Sequence, residues 1–314
     1  YLTLLDEVSG VGPITVDPAH QGRRVGRALM QAVIAEAQRR GIQRVRLIQE
    51  AITNNEYSRR LPAIRRSKER ILNSLQLAPT ISQIVRGHQL LNKTPLHVIN
   101  LDRRSDRLDG FMQRLSLASG DRLVSRIERF SAIDGQDLEM TPEILHMFRG
   151  SELPLRRSQT ACALSHLSLW IELINSEHEH YIVFEDDVHF MSDFTSRIGE
   201  LLGQMLDRPQ PDVIFLGLSY FDEAHYPKTS IQTLRPVVLQ NLMGGAFAYV
   251  LSKSGAKRLF EIAQTEGIAY GIDTFVLLNS HRVQSLEAVP NFVSSPVARH
   301  GGPVVDSDIQ YEDS

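Results

Sequence analysis

Tyr181-Ile-Val-Phe-Glu-Asp-Asp-Val188 places four apolar or aromatic residues directly before three consecutive carboxylates. A short apolar run is typical of a buried strand, and such a strand cannot hold an acidic cluster inside its own core. We therefore expect Glu185, Asp186 and Asp187 at the carboxyl end of the strand, the edge at which open α/β sheets bind ligands. Adjacent oxygen donors suit Mg²⁺ or Mn²⁺, although a polar turn at a strand end accounts for the same pattern.

The chain around this run alternates between strands and helices. Further strands are predicted at 96–101, 129–133, 213–216 and 246–251, and helices at 158–174, 194–205 and 254–264. Ser105 is the predicted N-cap of another helix, which carries Leu108, Phe111, Met112 and Leu115. This order predicts an α/β fold with a mostly parallel sheet that helices cover on both faces.

The first 95 residues differ from the rest in composition and in their pattern of predicted elements. A strand at 13–16, an amphipathic helix from Val25 to Val33 and a strand at 44–48 are predicted, with Gly41 ending the helix. Residues 52–93 are polar and rich in arginine, with weak helical patterns at 61–77 and 81–91, on either side of Pro79. We interpret this second stretch as a helical connector, solvated by its charges.

Composition limits the class of protein. The 314 residues are 42% hydrophobic and 23% charged, which fits a globular protein of about two domains. No apolar run reaches the roughly 18 residues of a membrane span, and the single cysteine, Cys162, favours a reducing compartment, so a cytoplasmic protein is predicted. Residues 1–95 hold 15 Lys and Arg against 7 Asp and Glu, but no aromatic residues interleave with the arginines, which argues against a nucleic-acid partner.

Val16-Asp-Pro-Ala-His-Gln-Gly-Arg-Arg-Val-Gly-Arg-Ala-Leu-Met30 resembles the acetyl-CoA-binding motif of the GNAT acetyltransferases. Gln21 and Gly26 match the motif, whose backbone amides and helix start hold the pyrophosphate of acetyl-CoA. Arg24 stands where that family usually has its first glycine, and the resemblance covers only about 50 residues. We therefore expect residues 1–50 to form a partial GNAT-like α/β segment that does not bind acetyl-CoA, residues 51–95 a connector and residues 96–314 the main domain.

Six motifs follow in order along the main domain. They are Val98-Ile-Asn-Leu-Asp-Arg-Arg-Ser-Asp-Arg107, Phe130-Ser-Ala-Ile-Asp-Gly135, Ala161-Cys-Ala-Leu-Ser-His-Leu167 with Trp170, Phe184-Glu-Asp-Asp-Val188, Ala248-Tyr-Val-Leu-Ser-Lys-Ser-Gly-Ala-Lys257 and Ser307-Asp-Ile309. Residues 96–309 thereby resemble glycosyltransferase family 25, which includes bacterial lipopolysaccharide and collagen galactosyltransferases. The resemblance implies a GT-A fold and a metal-dependent, inverting transfer of a hexose, usually galactose, from a UDP-sugar to a hydroxyl group of a glycan, lipooligosaccharide or protein.

Polar residues at the ends of the first two strands of this domain are candidates for binding the nucleotide. Asn100, Asp102 and Arg103 follow the strand at 96–101, and Arg107 lies one turn into the next helix. Asp134 precedes a glycine after the next strand. Surface ion pairing for Arg107 and a simple turn for Asp134 remain as alternatives.

The helix at 158–174 is apolar nearly all round and is predicted to be buried. His166 shares a face of it with Cys162 and Trp170, which favours a hydrogen-bonded core histidine over a ligand. Ser165 and His166 nevertheless match a Ser-His pair of the family, and the resemblance implies that they orient the acidic cluster or the sugar.

The acidic cluster corresponds to the metal motif of the GT-A enzymes. Alternate residues of an extended segment point the same way, so Glu185 and Asp187 are the predicted metal ligands, and Asp186 is predicted to turn toward the donor sugar. His300, before two glycines, is a candidate late ligand, although most loop histidines bind no metal.

Asp273 is the candidate general base. It begins an apolar helical run, where a helix N-terminus stabilises a carboxylate, and an N-cap accounts for the same position. Gly245, in the pair before the strand at 246–251, permits a close approach of backbone to ligand or marks a turn. Two other classes stay open: an acetyl-CoA-dependent N-acyltransferase and a catalytically silent interaction module.

Overall fold

A computed structural model describes residues 2–5, 8–11, 77–150, 156–221, 232–240 and 242–296, together with the helical residues Gln31 and Ala35. The chain divides into two compact units, Tyr1–Ala78 and Pro79–Ser314. In the first unit, β1 (Leu2–Leu5) and β2 (Val8–Val11) form an antiparallel hairpin. The strands predicted at 13–16 and 44–48 lie outside the described residues, as do Arg24 and Gly26.

From Leu77 onward the chain alternates helices and strands, as predicted. The elements are α1 (Leu77–Leu91), β3 (Leu96–Asn100), α2 (Ser105–Ser119), α3 (Asp121–Val124), β4 (Ile127–Ser131), α4 (Pro142–Met147), α5 (Arg157–Asn175), β5 (His180–Glu185), β6 (His189–Phe190), α6 (Phe194–Leu206), β7 (Val213–Phe215), β8 (Ser219–Tyr220), β9 (Thr233–Pro236), β10 (Leu242–Gly244), β11 (Ala248–Ser252), α7 (Lys253–Glu266), α8 (Ile272–Leu278), β12 (Ser285–Val289) and β13 (Val293–Ser294). Most predicted boundaries agree with these within two residues, which is the usual uncertainty of an element end.

Seven strands form the central sheet, in the order β4-β3-β5-β11-β7-β12-β9. β3 pairs in parallel with β4 and β5, and β7 pairs in parallel with β12. β11 is antiparallel to both of its neighbours, and β9 is antiparallel to β12. Five of the seven strands therefore run in one direction, and the predicted mostly parallel α/β sheet is confirmed.

Helices cover the sheet on both faces because its central strands are apolar on both sides. In β5, Tyr181 and Val183 pack into one apolar cluster with residues of α5, α7 and α8. Ile182 and Phe184 pack into the other, with residues of α2 and α6. Full burial of such a side chain contributes about 1.5–3 kcal/mol, so this strand anchors both layers.

Helix α1 begins four residues earlier than predicted. Pro79 lies in its first turn, where the missing backbone N–H costs nothing, so the proline is part of this helix. A Cβ atom at Gly87 would overlap the backbones of Gly199 and Gly203 in α6. The two helices therefore cross at backbone contact, which larger side chains would prevent.

Two local predictions differ from the structure. Arg104, and not Ser105, occupies the N-cap of α2, and it has no side-chain capping hydrogen bond. β4 lies two residues earlier than predicted because Leu96 pairs with Ile127 and thereby fixes its register. No helix in the described part of the chain is long and apolar enough to cross a membrane.

Candidate active site

The carboxyl ends of β3, β4 and β5 meet at one edge of the sheet. Asn100 lies opposite Ser131, and Ile99 lies opposite Glu185. An open pocket with a cavity volume of about 80 Å³ lies at this edge. Eight of the predicted site residues line it: Asn100, Arg103, Arg107, Asp134, Ser165, His166, Glu185 and Asp186.

Asp186 lies at the centre of a buried polar network. The Asn100 Nδ2 group donates to Asp186 Oδ2 at 2.7 Å, and an Arg107 Nη2 group lies 2.5 Å from Asp186 Oδ1. Asn100 in turn accepts from Arg129 Nε at 2.9 Å. Burial raises the pKa of Asp186, and Arg107 and Asn100 oppose that shift. Both oxygens of this carboxylate therefore bind protein donors, and the middle residue of the acidic turn is held in place.

Arg114 fixes the backbone of the same turn. Its Nε donates to the Val188 carbonyl at 2.7 Å, and its Nη2 donates to the Asp186 carbonyl at 2.7 Å. Hydrogen bonds from charged groups contribute about 1.5–3 kcal/mol each. The sequence-based prediction missed Arg114, although its position seven residues after Arg107 in α2 places both arginines on one helix face.

The Asp187 carboxylate has fewer close hydrogen-bond donors than that of Asp186. Ser295 Oγ donates to Asp187 Oδ2 at 3.0 Å, and an Arg107 nitrogen lies 3.7 Å from the same oxygen. Its Oδ1 is buried and has no hydrogen-bond partner in the described part of the chain. Burial, then the negative charge of Glu185, raises the pKa of Asp187 to about 6. A buried carboxylate oxygen without a donor is costly, and it is suited to a ligand that carries positive charge.

Glu185 faces helix α5. Its Oε1 lies 3.4 Å from His166 Nε2 and 4.0 Å from Cys162 Sγ. Burial raises the pKa of Glu185 strongly, and the charges of Asp273 and Asp186 add to that shift. Its backbone N–H donates to the Phe247 carbonyl at 2.8 Å, which joins the end of β5 to the segment before β11.

His166 is a fully buried histidine whose two ring nitrogens both have partners, as expected for a core histidine. Its Nδ1 lies 2.8 Å from the Tyr249 hydroxyl, which also accepts from Trp170 Nε1 at 3.0 Å. Burial lowers the pKa of His166 to about 4, so the ring is neutral near pH 7. When Tyr249 donates to Nδ1, the Nε2–H group faces Glu185 and steadies its carboxylate.

Ser165 holds the loop after β4 against α5. Its hydroxyl accepts from the Ile133 backbone at 2.9 Å and donates to the Ala161 carbonyl at 2.8 Å. Next along that loop, Asp134 accepts from Arg103 Nε at 2.6 Å and from its own turn. Ser165 therefore acts on the pocket through the position of Asp134, and its own hydrogen bonds stay within the protein.

Asp102 lies outside the pocket, on its rim. Its side chain is 73% exposed and accepts from Arg129 and, at 2.7 Å, from Ser131 Oγ. Hydrogen bonds from Arg129 and Ser131 lower the pKa of Asp102. Together with Arg103 and Asp134 it lines a neighbouring depression at the same edge of the sheet.

Asp273 occupies the second position of α8, and Gly271 is the N-cap. Its Oδ1 accepts from the backbone N–H of Gly245 at 3.1 Å and from that of Ala246. A Cβ at Gly245 would overlap the end of the Leu218 side chain, so the backbone packs closely against that residue here. The carboxylate of Asp273 thus orients the segment before β11, and its charge acts on Glu185. His300, the other candidate metal ligand, lies outside the described residues.

Two family profiles match the chain. The profile "Acetyltransferase (GNAT) family" matches residues 3–63, and the profile "Glycosyltransferase family 25 (LPS biosynthesis protein)" matches residues 93–276. Both resemblances seen in the sequence are confirmed.

Curated relatives resemble part of the chain. Human procollagen galactosyltransferase 2 is 28% identical over 197 residues, which cover 60% of this chain and 31% of that protein. Zebrafish procollagen galactosyltransferase 1 is 24% identical over 195 residues, or 60% and 32%. Human inactive glycosyltransferase 25 family member 3 is 28% identical over 168 residues, or 52% and 28%. The chain spans less than a third of the length of these relatives.

Because the family profile matches more than half of its 314 residues, the chain belongs to glycosyltransferase family 25.

Proposed function

We propose that the second unit is a metal-dependent, inverting glycosyltransferase that moves a hexose from a UDP-sugar to a hydroxyl acceptor. The observation that carries the proposal is the acidic turn beside the pocket. Each oxygen of Asp186 has a protein donor, whereas Asp187 keeps a buried oxygen without a partner in the described part of the chain. This division suits a turn that the protein holds rigid while its outer carboxylates bind a cation.

The pocket has the chemistry that a nucleoside diphosphate requires. Arg103 and Arg107 line it together with the amide of Asn100. Guanidinium groups bind phosphate oxygens through paired hydrogen bonds, and strand ends of α/β sheets are common nucleotide sites. Asp134 and Ser165 also line the pocket, and we propose that they help to hold the nucleoside. Ser165 would do so indirectly, by holding the loop after β4 that carries Asp134.

Glu185 and Asp187 fit a divalent cation. Oxygen donors are the ligands that Mg²⁺ and Mn²⁺ prefer, and the raised pKa values of both carboxyl groups reflect negative charge that burial has left uncompensated. When bound, the metal would neutralise the charge that develops on the departing diphosphate. Arg107, beside Asp186 and near Asp187, adds positive charge at the same place. His300 stays a candidate third ligand.

Asp273 is the proposed general base. Two backbone amides bind its Oδ1 and keep the carboxylate oriented, while its Oδ2 faces Gly244, at which an added Cβ would lie 3.1 Å away. An inverting transfer requires such a fixed carboxylate to remove the proton of the attacking hydroxyl group. The absence of a Cβ at Gly244 lets the backbone approach this carboxylate closely.

Galactose is the proposed sugar, because two of the relatives are named galactosyltransferases. The acceptor is proposed only as a hydroxyl group of a glycan, lipooligosaccharide or protein. A screen of UDP-sugars that follows UDP release with Mn²⁺ present would identify the donor. UDP release from none of them would favour a silent module, for which a relative named inactive is a precedent.

Asp187→Asn tests the proposed metal site. We expect UDP release in Mn²⁺ to fall by about 100-fold or more, since a metal contributes several kcal/mol to such a transition state and each tenfold costs 1.36 kcal/mol. Asp193→Asn is the matched control, because Asp193 is a half-exposed acid that pairs with Arg197 on the surface. Undiminished turnover in Asp187→Asn would refute the metal assignment.

A further inference from the structure

Three side chains of different donor chemistry meet on the wall of the pocket. The ligand atoms of Cys162, His166 and Glu185 all lie within 4.8 Å of one another. Cys162 and His166 are one helical turn apart on α5, and Glu185 ends β5 opposite them. The proposed transfer uses Glu185 alone of the three as a ligand, so the thiol has no assigned role and the imidazole only steadies Glu185.

We propose that Cys162, His166 and Glu185 form a binding site for a thiophilic divalent cation of the Zn²⁺ class. One sulfur, one nitrogen and one oxygen donor form a ligand set that Zn²⁺ accepts and that Mg²⁺ does not. The pocket leaves space for a water molecule or a ligand group in a fourth position. Two classes of cation therefore share Glu185: a hard one on the side of Asp187 and a soft one on the side of Cys162.

The distances are close to those of a zinc site. Bonds of 2.0–2.3 Å to Zn²⁺ place the ligand atoms of a tetrahedron about 3.3–3.6 Å apart. The 3.4 Å between His166 Nε2 and Glu185 Oε1 already satisfies this range, and the 4.0 Å between Cys162 Sγ and Glu185 Oε1 is about half an ångström too long. The ligand atoms of Cys162 and His166 lie within 4.8 Å of each other. The cysteine side chain must therefore move toward the other two ligands when a metal binds. On binding, the thiol releases its proton to the solvent and the thiolate bonds to the metal.

The surroundings of His166 resemble those of a metal-binding histidine. Such residues hydrogen-bond through their other ring nitrogen, which fixes the ring. Tyr249 supplies this contact to Nδ1 and is itself held by Trp170. The Tyr249 hydroxyl group can donate to Nδ1 or accept from it, so either ring nitrogen can carry the proton. In one tautomer Nε2 presents an N–H group to Glu185, and in the other it presents a lone pair to a cation.

A soft cation at this site would occupy the wall of the proposed donor pocket and engage Glu185. Zn²⁺ is therefore expected to inhibit sugar transfer that Mn²⁺ supports. This consequence rests on the proposed function, whereas binding of the cation does not.

Co²⁺ is the probe for binding, because a thiolate–Co²⁺ bond absorbs in the near ultraviolet. The chain has one cysteine, so such a band can come only from Cys162. We expect the band on titration of the metal-free protein with Co²⁺, its loss on addition of Zn²⁺ and its persistence in Mg²⁺. Cys162→Ser should abolish it, and Tyr249→Phe, which keeps all three ligands, should weaken Co²⁺ binding roughly 10–100-fold.

Two spectroscopic results would overturn the site. The first is the absence of the band at saturating Co²⁺ in the folded protein. The second is a Co²⁺ affinity of His166→Gln and Glu185→Gln equal to that of the wild type, which would mean that the thiol alone binds the metal. For inhibition, each protein is compared with its own zinc-free rate, and equal inhibition of the wild type and Cys162→Ser would overturn that consequence. A Co²⁺ band without sugar transfer would refute the proposed function alone. Sugar transfer without the band would refute the soft-metal site alone.

Discussion

The central sheet buries a carboxylate at each of its two ends, and the two have opposite surroundings. At the amino end, Asp212 precedes β7 and its side chain is 1% exposed. Ser254 Oγ donates to it at 3.1 Å, the Gln284 backbone donates at 3.0 Å, and Arg258 forms an ion pair with it. This carboxylate ties the starts of β7, α7 and β12 together.

At the carboxyl end, the side chain of Asp187 is 11% exposed, and its buried Oδ1 has no hydrogen-bond partner among the described residues. The same fold therefore gives hydrogen-bond donors to both oxygens of Asp212 and, among the described residues, none to one oxygen of Asp187. Buried acids that serve packing are normally paired, whereas perturbed ones cluster at functional sites. The difference supports the proposal that Asp187 serves binding at the expense of stability, whereas the contacts of Asp212 serve stability.

Asp187→Asn should give the largest effect on stability, and the effect should be a gain. The folded-state pKa of about 6 lies above the ordinary value of 3.8, so the native state binds the proton more tightly and stability falls as the pH rises through this interval. At pH 7 and without metal, removing the charge should raise the free energy of unfolding by about 3 kcal/mol at most. Denaturant unfolding at pH 4 and pH 7, with a chelator present, measures it.

The gain should vanish at pH 4, where Asp187 is protonated in the folded protein. A stability difference that is the same at both pH values would contradict the explanation by buried charge. A loss of stability at pH 7 would show that Asp187 is satisfied by the protein after all, and the contrast with Asp212 would fail.

Asp212→Asn should have the opposite sign. The amide cannot accept from all three donors, and hydrogen bonds to a charged group contribute about 1.5–3 kcal/mol, so we expect a loss of about 2 kcal/mol. The turnover of the remaining folded protein should be unchanged, because Asp212 lies at the far end of the sheet. Thermal unfolding measures the first quantity, and UDP release per folded molecule measures the second. A stable but inactive variant would contradict this division of roles.

Ser295→Ala should give the smallest effect. It removes the hydroxyl group that donates to Asp187 Oδ2, which should cost about 1 kcal/mol at pH 7. In the Asp187→Asn background the same substitution should cost less, because the charge that strengthens the bond is gone. A double-mutant cycle of the unfolding free energies measures this coupling, and strict additivity would show that Ser295 does not stabilise the carboxylate.

The position of the site was predictable from local sequence. The apolar run of β5 is buried on both faces, so its acids had to appear at the strand end, and parallel pairing brings Asn100 to the same edge. These inferences need only periodicity and the direction of the strands.

The fine structure of the site was not predictable, because it depends on partners that are distant in sequence. Asn100 and Asp186 are 86 residues apart, and Ser295 and Asp187 are 108 apart. No local pattern states which of three adjacent acids receives the donors. Cys162 was interpreted only as a sign of a reducing compartment, because its approach to Glu185 exists only after α5 packs on β5.

The backbone contact of Gly87 with Gly199 and Gly203 determines where the chain can be truncated without losing its fold. The family match begins at residue 93, beyond the end of α1. A protein truncated there would expose a groove on α6 that only a glycine-bearing helix fills, and it would lose the buried Leu91. We therefore expect the smallest piece that folds by itself to start near Leu77. The boundary of the family match and the boundary of the folding unit thus differ.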